Sequence, residues 1–212
     1  MKKEKGNVYY LVCLYGLYDH ILRTPIELDG YTEYLDALVE LYRNNIFDKD
    51  EVYFVDLMLE EKIPSIILCG GITNKQLEVS EARSVFLNYG IRKKILNRLG
   101  LPENSEYVQV YLEENSVNTA QNIYNGMSRI IARDVNPNKT IYVICDKFRK
   151  FKVKMILRRA LSLFVNIGTV KVIALKRKDI HPHSNYIYQF FAGLRYLSYW
   201  NFVKDANLRG GK

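Results

Sequence analysis

The sequence predicts an α/β fold: a doubly wound, mostly parallel sheet of five strands in a single domain over residues 1–212, finished by an aromatic C-terminal helix. Three observations predict it. Five short apolar runs are rich in β-branched or aromatic residues, longer segments with helical periodicity separate them, and nothing between them has the composition of a linker. Near-continuous apolar runs suit strands covered on both faces, hence a parallel sheet. Strands alternating with helices make right-handed crossovers that put helices on both sides of it.

The first run, VYYLVCLYG from Val8, makes the first strand. YTEYLDALVELYRNN follows as a helix with Tyr34, Leu38 and Leu41 along one side, and Asp29 or Thr32 is placed to cap it. PSIILCGG supplies the second strand, ended by Gly70 and Gly71. In SEARSVFLNYG, Ser80 begins a helix, Glu81 sits near the positive end of its dipole, and Gly90 stands where a helix stops. The segment from Arg92 to Glu106 reads as a helical excursion ended by Pro102. YVQVYLE is the third strand, and a helix follows it through IYNGMSRIIARDV. TIYVICDK is the fourth strand. FRKFKVKMILRRALSLF is a basic amphipathic helix expected to turn Phe151, Met155, Leu161 and Phe164 inward. VKVIALK is the fifth strand, and YIYQFFAGLRYLSYWNFV closes the chain.

With 48% hydrophobic residues the chain has ample apolar material for a core. Its 17 tyrosines are expected half-buried near the surface, because Tyr joins apolar area to a polar tip. Cys13, Cys69 and Cys145, an odd number at unrelated spacings, argue against a disulfide framework and for a reducing compartment. Lys2, Lys3 and Lys5 ahead of an apolar run mimic a signal peptide, but Glu4 interrupts them and no small-residue cleavage site follows. No stretch reaches membrane-spanning length without charges. These features lead us to expect a cytoplasmic protein. The net charge of +8 is concentrated late, in Lys147, Arg149, Lys150, Lys152, Lys154, Arg158 and Arg159, then Lys176, Arg177 and Lys178. Such a run fits phosphorylated ligands or acidic partners, and equally a solvated helix face. No helix-turn-helix, zinc or RNA-recognition signature is present, so no specific nucleic-acid partner is expected.

In doubly wound sheets, ligands bind outside the carboxyl ends of the strands, at the switch point in strand order. That rule selects Gly70-Gly71 and beyond, Glu113 to Asn122, and Asp146 to Lys152. A glycine pair lets the backbone turn and lets a ligand approach main-chain amides. Neither G-x-G-x-x-G nor a Walker loop is present. In LEENSVNTAQN, Asn118 and Gln121 form an N-x-x-Q capping box, and Ser116 offers an alternative cap. Capping leaves Glu113, Thr119 and Asn122 over. An acidic strand tip facing hydroxyl and amide groups at a helix start can hold a ribose or sugar, and the helix N-terminus favours a phosphate or carboxylate.

These blocks, taken in order, carry a resemblance. Gly70, Gly71, Ser80, Glu81 and Ala82, then Glu113, Ser116, Asn118, Thr119 and Asn122, then Asp146, Phe148 and Lys152 resemble the pattern of the YdcF/SanA/ElyC-like family of bacterial α/β domains, over about Ile66 to Leu161. The resemblance implies a Rossmann-like fold, a link to cell-envelope maintenance and S-adenosylmethionine as a ligand type. The chain departs from the pattern at Arg149, where the family commonly has histidine, and at Gln121, where it commonly has glutamate. Arginine stays protonated and presents a fixed fork of donors, so both changes favour anion binding over proton transfer.

The cysteines read as core residues, with Cys69 the best candidate for a reactive thiol. His181-Pro182-His183 reads as a surface turn, and Asp19-His20 reads as a pocket lining at the same sheet edge. The aromatic C-terminal segment reads as packing against the sheet or a second subunit rather than as a membrane-surface helix, since its own polar face is not strongly cationic. Together these readings lead us to expect a small anionic or nucleotide-like ligand, of S-adenosylmethionine or phosphorylated-sugar type. Gly70, Gly71, Ser80, Glu81, Glu113, Ser116, Asn118, Thr119, Asn122, Asp146, Lys147, Arg149 and Lys152 would line the site, for transferase or hydrolase chemistry without an evident nucleophile–base pair. The alternative is a non-catalytic interaction or envelope-associated protein working through its basic and aromatic helices.

Overall fold

The computed structural model describes residues 7–14, 29–47, 64–72, 79–176 and 186–208. Each apolar run contains one strand: β1 (Val8–Cys13), β2 (Ser65–Cys69), β3 (Val110–Glu113), β4 (Thr140–Asp146) and β5 (Thr169–Leu175). They pair in the order β3-β2-β1-β4-β5, and every pairing is parallel. Alternate side chains enter opposite cores. Tyr10, Val12, Ile66, Leu68 and Ile144 point one way; Leu11, Cys13, Ile67, Cys69, Val143 and Cys145 point the other. With both faces covered, β1, β2 and β4 carry no solvent-facing polar alternation, which is why their runs read as continuous; β5, at the sheet edge, exposes Thr169 and Lys171.

One face is covered by α1 (Asp29–Phe47), by α2 (Glu81–Ser84) with the π turn Val85–Tyr89 that extends it, and by α3 (Ile91–Arg98). The other is covered by α4 (Thr119–Arg133), α5 (Lys150–Leu161) and α7 (Tyr199–Asp205). Between them, α6 (Tyr186–Leu194) packs on α5, where the Phe151 and Phe190 rings stack at 4.8 Å. The chain therefore steps outward from β1 to β3 beneath one layer. Helix α4 then carries it back across the other face to β4, on the far side of β1. The fold is a doubly wound, Rossmann-like α/β domain, and its strand order reverses between β1 and β4.

Several local expectations change. The excursion after Arg92 ends at Arg98 rather than at Pro102. Gly100, at φ 68°, closes α3 with its own N–H on the Asn97 carbonyl (3.2 Å) and the Leu101 N–H on that of Leu96 (2.9 Å). That is the Schellman pattern, which needs a left-handed residue at its corner. Thr32 lies inside α1 and so does not cap it. The inward face of α5 is Val153, Ile156, Leu157 and Ala160, while Phe151, Met155, Leu161 and Phe164 are only partly buried along its flanks. Short aliphatic side chains fit beneath a helix lying close on a sheet; the larger ones close the gaps to neighbouring helices, as Phe164 does against Tyr124 at 5.4 Å. Tyr10, Tyr34 and Tyr42 are fully buried rather than half-buried, and the Tyr42 hydroxyl donates to the Pro64 carbonyl at 2.6 Å. Among the described residues no helix is long and apolar enough to cross a membrane.

Candidate functional site

The ends of β2 and β3 are tied to each other. Gly70 and Gly71 donate their amides to the carbonyls of Glu113 (2.9 Å) and Ser116 (2.7 Å). A Cβ on Gly71 would lie 2.5 Å from the Glu114 carbonyl oxygen and 2.7 Å from that of Ser116. The glycine pair thus permits two turns to touch, and its amides are taken by the chain instead of being presented to a ligand, which corrects the expectation from sequence. The start of α2 is closed in the same way. Ser80 accepts the Arg83 N–H at 3.0 Å, and the amides of Glu81 and Ala82 reach the Gly71 (3.2 Å) and Gly70 (3.0 Å) carbonyls. The Ser80 hydroxyl donates to Glu114 (2.6 Å), which Arg83 also grips through Nε (3.0 Å) and Nη2 (2.9 Å). The Arg83 hydrogen bonds hold the Glu114 carboxyl below its ordinary range. Glu81 is fully buried beside Gly70.

Glu113 organises its own turn. Its carboxylate accepts the Asn115 N–H at 2.9 Å, the Ser116 hydroxyl, and Asn125 Nδ2 at 3.4 Å. Buried to 1% exposure, it acts here as a turn former rather than as an acceptor reaching outward for sugar hydroxyls. Asn118 caps α4 through the Gln121 N–H (3.0 Å), and Gln121 reaches back to the Val117 N–H (2.8 Å). Those two bonds are the N-x-x-Q box, with the return bond one residue further back than the standard form. Ser116, bonded to Glu113, takes no part in capping. Asn118 Nδ2 also donates to the Asp205 carbonyl at 2.9 Å, tying the start of α4 to the end of α7.

The third turn meets α4 over the end of β1. Asn122 Nδ2 donates to the Leu14 carbonyl at 2.9 Å. Arg149 Nη2 donates to the Cys13 carbonyl at 3.0 Å, while its Nε pairs with the Asp146 carboxylate. Asp146 also caps the short turn Lys147–Arg149 by accepting the Arg149 N–H at 3.0 Å. Arg149 is 1% exposed, so the pair is a buried one. One turn further on, Lys152 is partly buried and forms no ion pair among the described residues. Burial first and the Arg149 charge second push its ammonium down to about 8, against the opposing pull of Asp205 and Asp146. Lys147 is exposed.

Two buried atoms in the first turn of α4 have no hydrogen-bond partner among the described residues: Thr119 Oγ1 and Asn122 Oδ1. Thr119 opens α4 and Asn122 lies three residues on, so both share the side of the helix that faces the end of β1. Around the reversal between β1 and β4 the structure therefore gathers Thr119, Asn122, Asp146, Arg149 and Lys152. Gly70, Gly71, Ser80, Glu81, Glu113 and Ser116 build the adjoining corner, with Asn118 between the two groups. Sequence reasoning missed Asn125, which ties Ser116 (3.0 Å) into the Glu113 turn, and Asp205, which accepts the Tyr196 hydroxyl (2.8 Å). Neither carries a local signal, since their partners lie in other elements.

Cys13, Cys69 and Cys145 lie side by side at the strand ends, buried within one core. Burial pushes the Cys13 thiol up to about 12 and raises Cys69 and Cys145 as well. Cys69 is therefore a core residue and not a reactive thiol. Asp19-His20, Arg177, Lys178 and His181-Pro182-His183 lie outside the described residues. Among the described residues no group of three His, Cys, Asp or Glu side chains is placed to hold a metal ion.

The fold defines a Rossmann-like α/β domain whose strand order reverses beneath a cluster of amide, hydroxyl and cationic side chains. Comparison with protein-family models, with curated proteins and with solved structures gives no significant match for this chain.

Proposed function

We propose that this chain binds a small anionic or nucleotide-like molecule over the end of β1. Two ligand types fit: S-adenosylmethionine-like, or a phosphorylated sugar. The observation that carries this reading is the pair of buried, unpartnered oxygens, Thr119 Oγ1 and Asn122 Oδ1, at the first turn of α4. A buried polar atom without a partner costs about 1–3 kcal/mol, so two such atoms on one face favour a ligand that supplies donors. Asn122 Oδ1 accepts only, which suits a ribose or sugar hydroxyl. Thr119 can donate or accept. Beside them lie the Thr119 and Ala120 amides at the start of a 15-residue helix; Asn118 Oδ1 already takes the Gln121 amide, and the positive end of the helix favours a phosphate or carboxylate. Lys152, which has no ion-pair partner among the described residues, adds the positive charge. Arg149 and Asp146 hold each other and the β1 end, so their part is to position the site. The resemblance to the YdcF/SanA/ElyC-like family points the same way, because Asn118, Thr119, Asn122, Asp146 and Lys152 are among its matching residues.

Isothermal titration of the full chain with S-adenosylmethionine, a uridine diphosphate sugar and inorganic phosphate tests the reading. At least one probe binds, and Thr119→Val and Lys152→Met each weaken it about tenfold, the equivalent of one lost hydrogen bond or charge contact. Equal affinity in folded variants, or no heat with any probe, removes the assignment.

A further inference from the structure

An exposed apolar surface lies away from the end of β1, where α6 meets α5. Phe148, Phe151, Tyr186, Ile187, Phe190 and Phe191 line a groove of about 680 Å³ between the two helices. The Phe148 and Tyr186 rings meet at 4.7 Å and those of Phe151 and Phe190 at 4.8 Å, which fixes the floor. Gly193 permits the close approach, since a Cβ there would lie 2.7 Å from the Phe151 ring. Outside the floor, Ile187 is 67% exposed and Phe191 63%. Their spacing of four residues puts them on one side of α6, facing outward.

The rim is cationic. Lys147, Lys150 and Lys154 border the groove, and Lys150, Lys154 and Arg158 recur every four residues as an exposed stripe along α5. Neither residues 147–161 nor residues 186–204 contain a single Asp or Glu. Considered alone, α6 lacks the cationic face of a membrane-surface helix. The fold supplies that face from α5.

We infer that this face docks on an anionic phospholipid bilayer, with Ile187 and Phe191 entering the acyl boundary and the α5 stripe on the headgroups. An outward-facing apolar ridge flanked by lysines is the form that interfacial binding takes, because long cationic side chains keep their charge at headgroup level while their stems lie along apolar surface. Charge complementarity selects this occupant over a second copy of the chain. A two-fold contact through the groove would set Lys147, Lys150 and Lys154 of each copy against the same residues of the other. Ile187 and Phe191 line the groove yet stay largely exposed, which favours a bilayer covering their outer sides over an acidic peptide held within the groove and reaching only their inner sides. The inference is independent of what binds over the end of β1.

Vesicle co-sedimentation of the full chain tests it, using phosphatidylcholine alone and an equimolar mixture with phosphatidylglycerol. The expected result is binding to the mixed vesicles only. Two double variants, Ile187→Ser with Phe191→Ser and Lys150→Glu with Lys154→Glu, each reduce it about tenfold or more while circular dichroism stays unchanged. High salt weakens binding of the wild type without abolishing it, because the apolar part persists. The inference is overturned by absence of binding to mixed vesicles, or by an Ile187→Ser, Phe191→Ser protein that binds like the wild type. A dimer in sedimentation velocity that this variant dissociates, with no vesicle binding, equally overturns it and makes the face an interface between copies.

Discussion

Asn122, in the first turn of α4, and Arg149, in the turn after β4, donate to the carbonyls of consecutive residues, Leu14 at 2.9 Å and Cys13 at 3.0 Å. The end of β1 is thereby held by a helix that follows β3 and a turn that follows β4. A strand end has carbonyls that the ladder no longer satisfies, and burying them without donors is costly. Structure and candidate binding share the same atoms here, which makes the consequences of substitution separable.

Asn122→Asp keeps the shape but replaces the donor on Leu14 with an acceptor. We expect it to destabilise the fold by about 1–3 kcal/mol, and Asn122→Ala by less, since alanine leaves the carbonyl unpaired without adding repulsion. Urea midpoints measure both. An Asp variant as stable as the wild type would show that the Leu14 contact does not form.

Arg149→Met leaves the Asp146 carboxylate buried without its partner, and the expected cost is about 3–5 kcal/mol. Adding Asp146→Asn to it recovers part of that loss, because the amide carries no charge to strand. Additive losses in this double-mutant cycle would mean that the two side chains do not interact.

Gly71→Ala drives a methyl group into the Glu114 and Ser116 carbonyls, and Gly126→Ala drives one to 2.4 Å from Leu11 Cδ1 and 2.8 Å from Cys69 Sγ. Overpacking of this kind costs about 1–3 kcal/mol. Gly71→Ala is expected to be the worse of the two, because backbone cannot rotate away as the Leu11 side chain can. Thermal midpoints that rank the opposite way would reverse this account of the glycine pair.

Lys152 gives a pH dependence with a definite sign. Its ammonium is pushed down to about 8 in the folded chain and regains the ordinary value of 10.5 on unfolding. Between those values the unfolded state binds more protons, so this group's contribution to stability rises with pH, and below about 8 the folded state carries its full penalty. Lys152→Met is therefore more stable than the wild type near neutrality, and the difference shrinks as the pH rises above 8. Anion affinity in the wild type should fall over the same range. Paired denaturation curves at neutral and alkaline pH settle it, and a constant difference between the proteins would exclude the shift.

Cys13, Cys69 and Cys145 are all fully buried, and burial keeps their thiols protonated. Ellman's reagent should label them only at the rate of unfolding. Fast labelling of one thiol in the native protein would reopen Cys69 as a reactive group.

Much of this architecture is local and could be read directly. The five strands follow from runs of β-branched and aromatic residues, Ser80 and Asn118 from the chemistry of helix caps, and Gly90 from its place after an apolar repeat. Each depends on neighbours within a few positions, which is the range over which periodicity and capping act. Gly100, which closes α3, is an equally local signal, but the nearby Pro102 is the louder one.

Sequence alone therefore determined the element types, the layered class and the three turns proposed to hold a site. Only tertiary structure decided how those turns divide. Strand order places the reversal between β1 and β4, which leaves the Gly70-Gly71 and Glu113 corner as scaffold. Arg149 reaches a carbonyl 136 positions away, Asn122 one 108 positions away, and Asn118 the last turn of the chain. Whether a polar side chain is already occupied depends on partners brought together by folding, and no spacing along the chain records them.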